Sequence, residues 1–317
     1  MLSLARVTLK HHRFEVVATS LAALALAAAC IWYNSQLLAI DVPAGCFERW
    51  LETAGSPGTD CSLPVRAFTG LMYSFTSWLD PAMAVLPFAA GILTGVPVVA
   101  RELETRTAQT AWSLSPSRTR WLAHQIWPIM LVVGAAVTVA AIASGMLYTT
   151  RANSFPPELF NAGFHGPIVA ARAVAGFGIG TLIGTLTGRS LPAVIVAAVI
   201  ALAAVIVLPV TARDAWARTQ PRELYEWSDE RPRVILDSFY RGPDGQLVPV
   251  DVAFALVPDN VEDPYSWLFD AGYVAFSTGI SAETAAQWEG IENAGTLAVG
   301  ALLVGATFRV VNRRRPI

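Results

Sequence analysis

Long apolar runs alternate with short arginine-bearing segments along this chain. A bilayer core takes roughly 20 apolar residues as a helix. Six segments reach that length, at about residues 16–38, 81–100, 121–148, 167–187, 191–211 and 294–311. The pattern predicts an all-α membrane protein of six transmembrane helices. Between the fifth and sixth, about residues 212–290 form the largest polar stretch. There "RVILDSFYRGPDGQLVPVDVAFALV" reads as two strands around a "GPDG" turn, with Pro243, Asp244 and Gly245 as turn formers. A small mixed α/β extracytoplasmic domain is expected at that place. The division is therefore 1–211 for helices one to five, 212–290 for the loop domain, and 291–317 for the last helix and a basic tail.

Composition agrees with this reading. The chain is 54% hydrophobic and 15% charged, against about a quarter charged in soluble domains. Where the charges fall orients the bundle. Arg6, Lys10 and Arg13 precede span one, Arg101, Arg106, Arg118 and Arg120 separate spans two and three, Arg189 separates four and five, and Arg313, Arg314 and Arg315 end the chain. The two shorter loops opposite hold only Arg49, Arg66 and Arg151. Short basic segments stay in the cell interior, so both termini are expected to be cytoplasmic in a bacterial plasma membrane. The long loop carries six Arg against about fourteen Asp and Glu. Its length exempts it from the charge rule, and its acidity suits either a cationic ligand or a plain solvated face.

The N-terminus resembles a signal peptide ending at Cys30. The apolar run continues past Cys30 through "IWY", however, and cleavage would leave five spans with the terminal arginines outside. The first fourteen residues mix apolar and basic side chains, so they read as a segment in the headgroup layer or as a frayed tail. Cys46 and Cys61 fall on the oxidising side, where a disulfide closing about 15 residues is worth roughly 3 kcal/mol. Cys30 reads as a small core residue within span one.

Within the membrane, Gly176, Gly180, Gly184 and Gly188 recur every four residues in span four, and Gly91 and Gly95 repeat the spacing in span two. Such stripes let helix backbones approach closely. Arg172 lies one turn before Gly176. It either faces neighbouring helices, as a possible pathway residue, or snorkels to the headgroups.

Signatures of catalysis are missing. The sequence has no H-E-x-x-H, no G-x-S-x-G and no G-x-x-x-x-G-K-[ST]. No metal site, enzyme activity or nucleic-acid partner is expected, and any ATP chemistry falls to another chain.

The polar segment between spans two and three is the informative one. "RELETRTAQTAWSL" can form a helix at about 102–114, with Leu103, Thr107, Ala111 and Leu114 on one face and Trp112 beside it. Pro116 ends it, and Ser117 or Thr119 can cap the next helix. The result is a short helix held between two spans, carrying charges and one aromatic, which suits a soluble partner; a plain solvated hairpin fits the pattern equally.

"LPFAAGILTGVPVVARELETRTAQTAWSLSPSRTRWL" resembles type-2 ABC exporter permeases, particularly a group found in actinobacteria. In these a Gly- and Pro-containing span runs into Ala-Arg-Glu-x-Glu, then Gly-Thr, an Ala-Trp pair and Ser/Thr-Arg-x-x-Trp. Arg101, Glu102, Glu104, Thr107, Trp112, Arg118 and Trp121 occupy the corresponding places. Arg106 stands where the pattern has Gly, which would allow a continuous helix. "GPIVAARAVAGFGIGTLIGTLTGRSLPAV" and "QWEGIENAGTLAVGALLVGATFRVVNRRR" are similar to the family's fourth and last spans. Arg172 falls where members of that family usually have an uncharged residue.

The resemblance implies a permease paired with a second permease, as homodimer or heterodimer, and with cytoplasmic ABC ATPase subunits that hold ATP and Mg. Arg101, Glu102, Glu104, Thr107, Trp112 and Arg118 would couple it to the ATPase. Cargo would be a drug, lipid or peptide-like compound. The competing reading is a membrane-anchored sensor or immunity protein whose outer domain binds a ligand without transport.

Overall fold

The computed structural model describes residues 2–47, 49, 59–115, 117–152, 164–221, 223–226, 234–258, 261 and 264–313. Pro116, Arg314 and Arg315, and the side chains of Ala111 and Leu114, lie outside the described set.

Among the described residues, six helices are long and apolar enough to cross a membrane. A short α1 (Leu2–His11) precedes the first of them, α2 (Arg13–Leu38). Next come α3 (Thr59–Glu104), the short α4 (Thr107–Leu114), α5 (Arg118–Ala152), α6 (Pro167–Thr187) and α7 (Ser190–Leu208). A π-helical turn, Pro209–Arg213, carries α7 into α8 (Asp214–Thr219). A small α/β region follows, and α11 (Ala282–Arg313) closes the bundle.

Helix α3 corrects the sequence reading of residues 59–80 as part of a loop. It has 46 residues, about 69 Å at 1.5 Å per residue, more than twice the hydrocarbon thickness. Its first half is too polar for a hydropathy scan but is amphipathic. Cys61, Val65, Phe68, Met72, Phe75 and Leu79 are all buried, at alternating steps of four and three that keep one face on the bundle. At its inner end Asp80 pairs with Arg151 of α5 at 3.2 Å, both largely shielded.

Glycines set the tightest helix contacts. A Cβ on Gly95 would come within 2.6 Å of the Phe177 carbonyl oxygen, and one on Gly184 within 2.9 Å of the Val96 carbonyl oxygen. Gly91, Gly176 and Gly180 meet the facing backbone in the same seam between α3 and α6. A second seam, unforeseen from the sequence, joins α6 to α11, where a Cβ on Gly178 would meet the Gly300 carbonyl oxygen at 2.6 Å. Gly188 is a correction to the predicted stripe. It is the left-handed residue that ends α6, with φ 64° and its N–H bonded to the Gly184 carbonyl; only glycine adopts that conformation without steric cost.

Helix α7 has two contrasting faces. Ala193, Ala197 and Ala201 are buried against α3 and α6, while Leu191, Ile195, Val199, Leu202 and Ile206 are exposed. Large apolar side chains directed away from the protein are what a lipid-facing helix presents.

Among the described residues the α/β region has four strands, β1 (Glu223–Glu226), β2 (Val234–Arg241), β3 (Leu247–Pro249) and β4 (Val274–Ile280), in the order β1-β4-β2-β3, every pair antiparallel. The expected turn is present, with Gly245 at φ 81° and the Gly242 N–H bonded to the Gln246 carbonyl. The expected return strand, β3, is present but short: it stops at Pro249, and Val250–Phe254 form helix α9. Pro249 has no N–H to extend the ladder. Phe254 instead packs on Tyr240 of β2 and on Tyr265 of α10 (Pro264–Asp270). Strand β4, at the centre of the sheet, was not anticipated.

Candidate functional site

Helix α4 sits where the sequence places the polar segment, but it starts later than expected. The chain leaves α3 after Glu104, and Arg106 takes a left-handed conformation at φ 59° before α4 begins at Thr107. The turn that the resemblance assigns to Gly is made here by Arg. Leu103 and Thr107 consequently do not share a face: Leu103 packs on the core and Thr107 is exposed.

Each residue proposed for coupling has a contact within the chain. Arg101 meets Glu15 of α2 at 3.5 Å. Glu102 lies 3.8 Å from His11 Nε2 and accepts a hydrogen bond from the Thr107 hydroxyl across the Arg106 turn. Glu104 accepts the N–H of Ser190 at 3.0 Å, capping the first turn of α7 from a neighbouring helix with a favourable charge. Arg118 stacks 4.6 Å from the Trp112 ring centre and donates to the Val311 and Asn312 carbonyls at the end of α11, at 3.4 and 3.5 Å. Ser117, one of the two caps considered, holds α5 through the Arg120 N–H at 3.2 Å. This basic end of the bundle thus brings together parts of α1, α2, α3, α4, α5, α7 and α11.

Trp112 departs from expectation. Rather than projecting, it lies nearly perpendicular to Trp121, ring centres 6.0 Å apart, and packs on the core. It anchors α4, with each aromatic or cation–π contact worth about 1 kcal/mol. Among its described side chains, α4 leaves Thr107, Thr110 and Ser113 exposed, with Arg106 ahead of them.

Cys46, Cys61 and Arg172 also have definite places. Cys46 and Cys61 are joined in a disulfide, Cα atoms 5.3 Å apart, beside Val65. Arg172 is 3% exposed, so it does not snorkel. Its Nη2 lies 3.7 Å from Glu292 on α11. The same carboxylate receives both Nη2 contacts of Arg213, at 2.8 and 3.0 Å, and the Trp288 Nε1–H at 3.1 Å. This buried cluster ties α6, the π-turn and α11 together. Arg213 and Glu292 were missed because they sit 79 residues apart and neither lies in an apolar run. Among the described residues no group of three or more His, Cys, Asp and Glu is placed to hold a metal ion.

A family model described as "ABC-2 membrane transporter related" matches residues 17–213. No curated protein and no solved structure matches. The matched stretch runs from span one through α4 and the α3–α6 seam to Arg213. The chain therefore belongs to the ABC-2 membrane transporter related family and is a multi-pass membrane permease of an ABC transporter.

Proposed function

We propose that this permease is the transmembrane subunit of an ATP-driven exporter in a bacterial plasma membrane, with both termini in the cytoplasm and the four-stranded sheet outside. The arginine asymmetry supports that orientation. In this reading ATP and Mg are held by a separate ATPase subunit, and the permease works beside a second permease. The cargo is a drug, lipid or peptide-like compound that crosses by alternating access.

The observation that carries the reading is the clamped α4. A load on its exposed face is transmitted to α3 through the Arg106 turn, to α7 through Glu104 and Ser190, and to α11 through Arg118. The close α3–α6 seam passes displacement of α3 directly to α6, since packed backbones shift as units.

Cross-linking tests this. Cys46 and Cys61 are bonded and Cys30 is buried, so Thr110→Cys introduces a single accessible thiol. A thiol–amine cross-linker should join it to the ATPase in the purified complex. In reconstituted vesicles, Trp112→Ala with Glu104→Ala should abolish export while membrane insertion persists. Normal export and ATP turnover in that variant, or a cross-link from Val252→Cys on α9 instead of Thr110→Cys, would overturn the assignment.

A further inference from the structure

An open cleft of about 590 Å³ lies at the basic end, lined by Lys10, His11, Arg13, Phe14, Glu15 and Arg101. Three permanent cations face one carboxylate. The Arg101–Glu15 contact is long, at 3.5 Å, with Arg101 46% exposed, so the cleft keeps a cationic surplus. These groups are not on a loose arm. Helix α1 is docked on α5 by Thr8, whose hydroxyl reaches the His124 carbonyl at 3.4 Å, and His12 is 1% exposed. Below the cations, Phe14, Val17, Leu21 and Leu24 are exposed along one side of α2, at steps of three, four and three.

We propose that this cleft binds the headgroup of an anionic phospholipid, with the α2 stripe receiving its acyl chain. A phosphate satisfies the clustered Lys and Arg donors by charge-assisted hydrogen bonds. The apolar stripe directly beneath favours a lipid over a free anion. A zwitterionic headgroup would leave the surplus charge uncompensated, so the preference is for net negative lipid. Arg101 belongs to the last turn of α3, ahead of the Arg106 turn, so the bound lipid lies beside α4. The inference rests on α2 crossing the membrane and is independent of the coupling assignment.

The test uses the purified full chain in phosphatidylcholine nanodiscs carrying a trace of photoactivatable phosphatidylglycerol or, separately, photoactivatable phosphatidylcholine. Labelled peptides are mapped by mass spectrometry. The phosphatidylglycerol probe should label residues 10–24 about tenfold more than the phosphatidylcholine probe, the combined effect of two to three basic residues at an interface in moderate salt. Lys10→Gln with Arg13→Gln should bring the two probes level. Arg120→Gln with Arg189→Gln, exposed charges outside the cleft, should leave the preference intact. Equal labelling by both probes in the unmodified chain overturns the proposal, and this comparison needs no variant to fold. A preference retained in the Lys10/Arg13 variant, or lost equally in the Arg120/Arg189 variant, also overturns it. So does displacement of the probe by inorganic phosphate at constant ionic strength, which would make free phosphate the ligand. Neither export nor ATP turnover is read, so the outcome is separate from that of the coupling tests.

Discussion

Replacing Glu292 by Ala should be among the most damaging single changes in this protein. The Glu292 side chain is 16% exposed and lies between the side chains of Arg213 and Arg172, which are 3% and 4% exposed. It accepts from Arg213 at 2.8 to 3.2 Å and from Trp288 at 3.1 Å. Removing it strands buried guanidinium charge, and breaking a buried ion pair from one side typically costs about 3–5 kcal/mol. At roughly 2 °C per kcal/mol for a chain of this size, the midpoint should fall by about 6–10 °C. Arg172→Met should behave differently. Arg172 approaches Glu292 only at 3.7 Å and its Nη1 has no hydrogen-bond partner. Its loss leaves the closer Arg213–Glu292 pair intact, and methionine fills much of the vacated space, so the cost should stay within about 1 kcal/mol. The assay is fluorescence-monitored thermal unfolding of the purified chain in one detergent at one scan rate. If Arg172→Met lowers the midpoint as far as Glu292→Ala, Glu292 is not what holds the cluster together and the reasoning fails.

Three more outcomes are checked by the same unfolding measurement. Gly95→Ala places a methyl against the Phe177 carbonyl and should cost about 1–3 kcal/mol, whereas Gly134→Ala, with nothing within 4 Å, should be neutral or stabilise by up to about 1 kcal/mol. Arg106→Gly should stabilise by roughly 1 kcal/mol, because it relieves a non-glycine residue held at φ 59°. Burial, reinforced by the neighbouring His11, lowers the His12 pKa from 6.5 to about 4. Between those two values the unfolded chain binds a proton that the folded one refuses, so stability should fall by roughly 3 kcal/mol as pH drops from 6.5 to 4 and be unaffected by His12 above that window. His12→Gln should flatten this part of the pH profile; an unchanged profile would count against burial as the cause.

The spans were legible in the sequence because burying a backbone in hydrocarbon demands about 20 apolar residues, and that demand is local and one-dimensional. The small-residue seam could be read for the same reason: Gly91 and Gly95 fall on one face by helical period alone, as do Gly176, Gly180 and Gly184. Amphipathic helix was harder to recognise. Residues 59–80 carry a clean heptad-like face, from Cys61 to Leu79, but Asp60, Arg66, Asp80 and the Ser and Thr between them break the continuous apolar run that marks a span.

Tertiary structure alone decided the rest. Whether Arg172 snorkels or pairs depends on Glu292, which reaches it only when α6 packs on α11. Whether Trp112 projects or anchors depends on Trp121 and Arg118 closing over it. The return strand after the "GPDG" turn gives way to a helix at Val250, where Phe254 packs on Tyr240 and Tyr265. Hydropathy and period report what each segment needs from its surroundings. Which partner satisfies a buried charge or an aromatic face is settled by distances between residues far apart in the chain, and no local pattern encodes those distances.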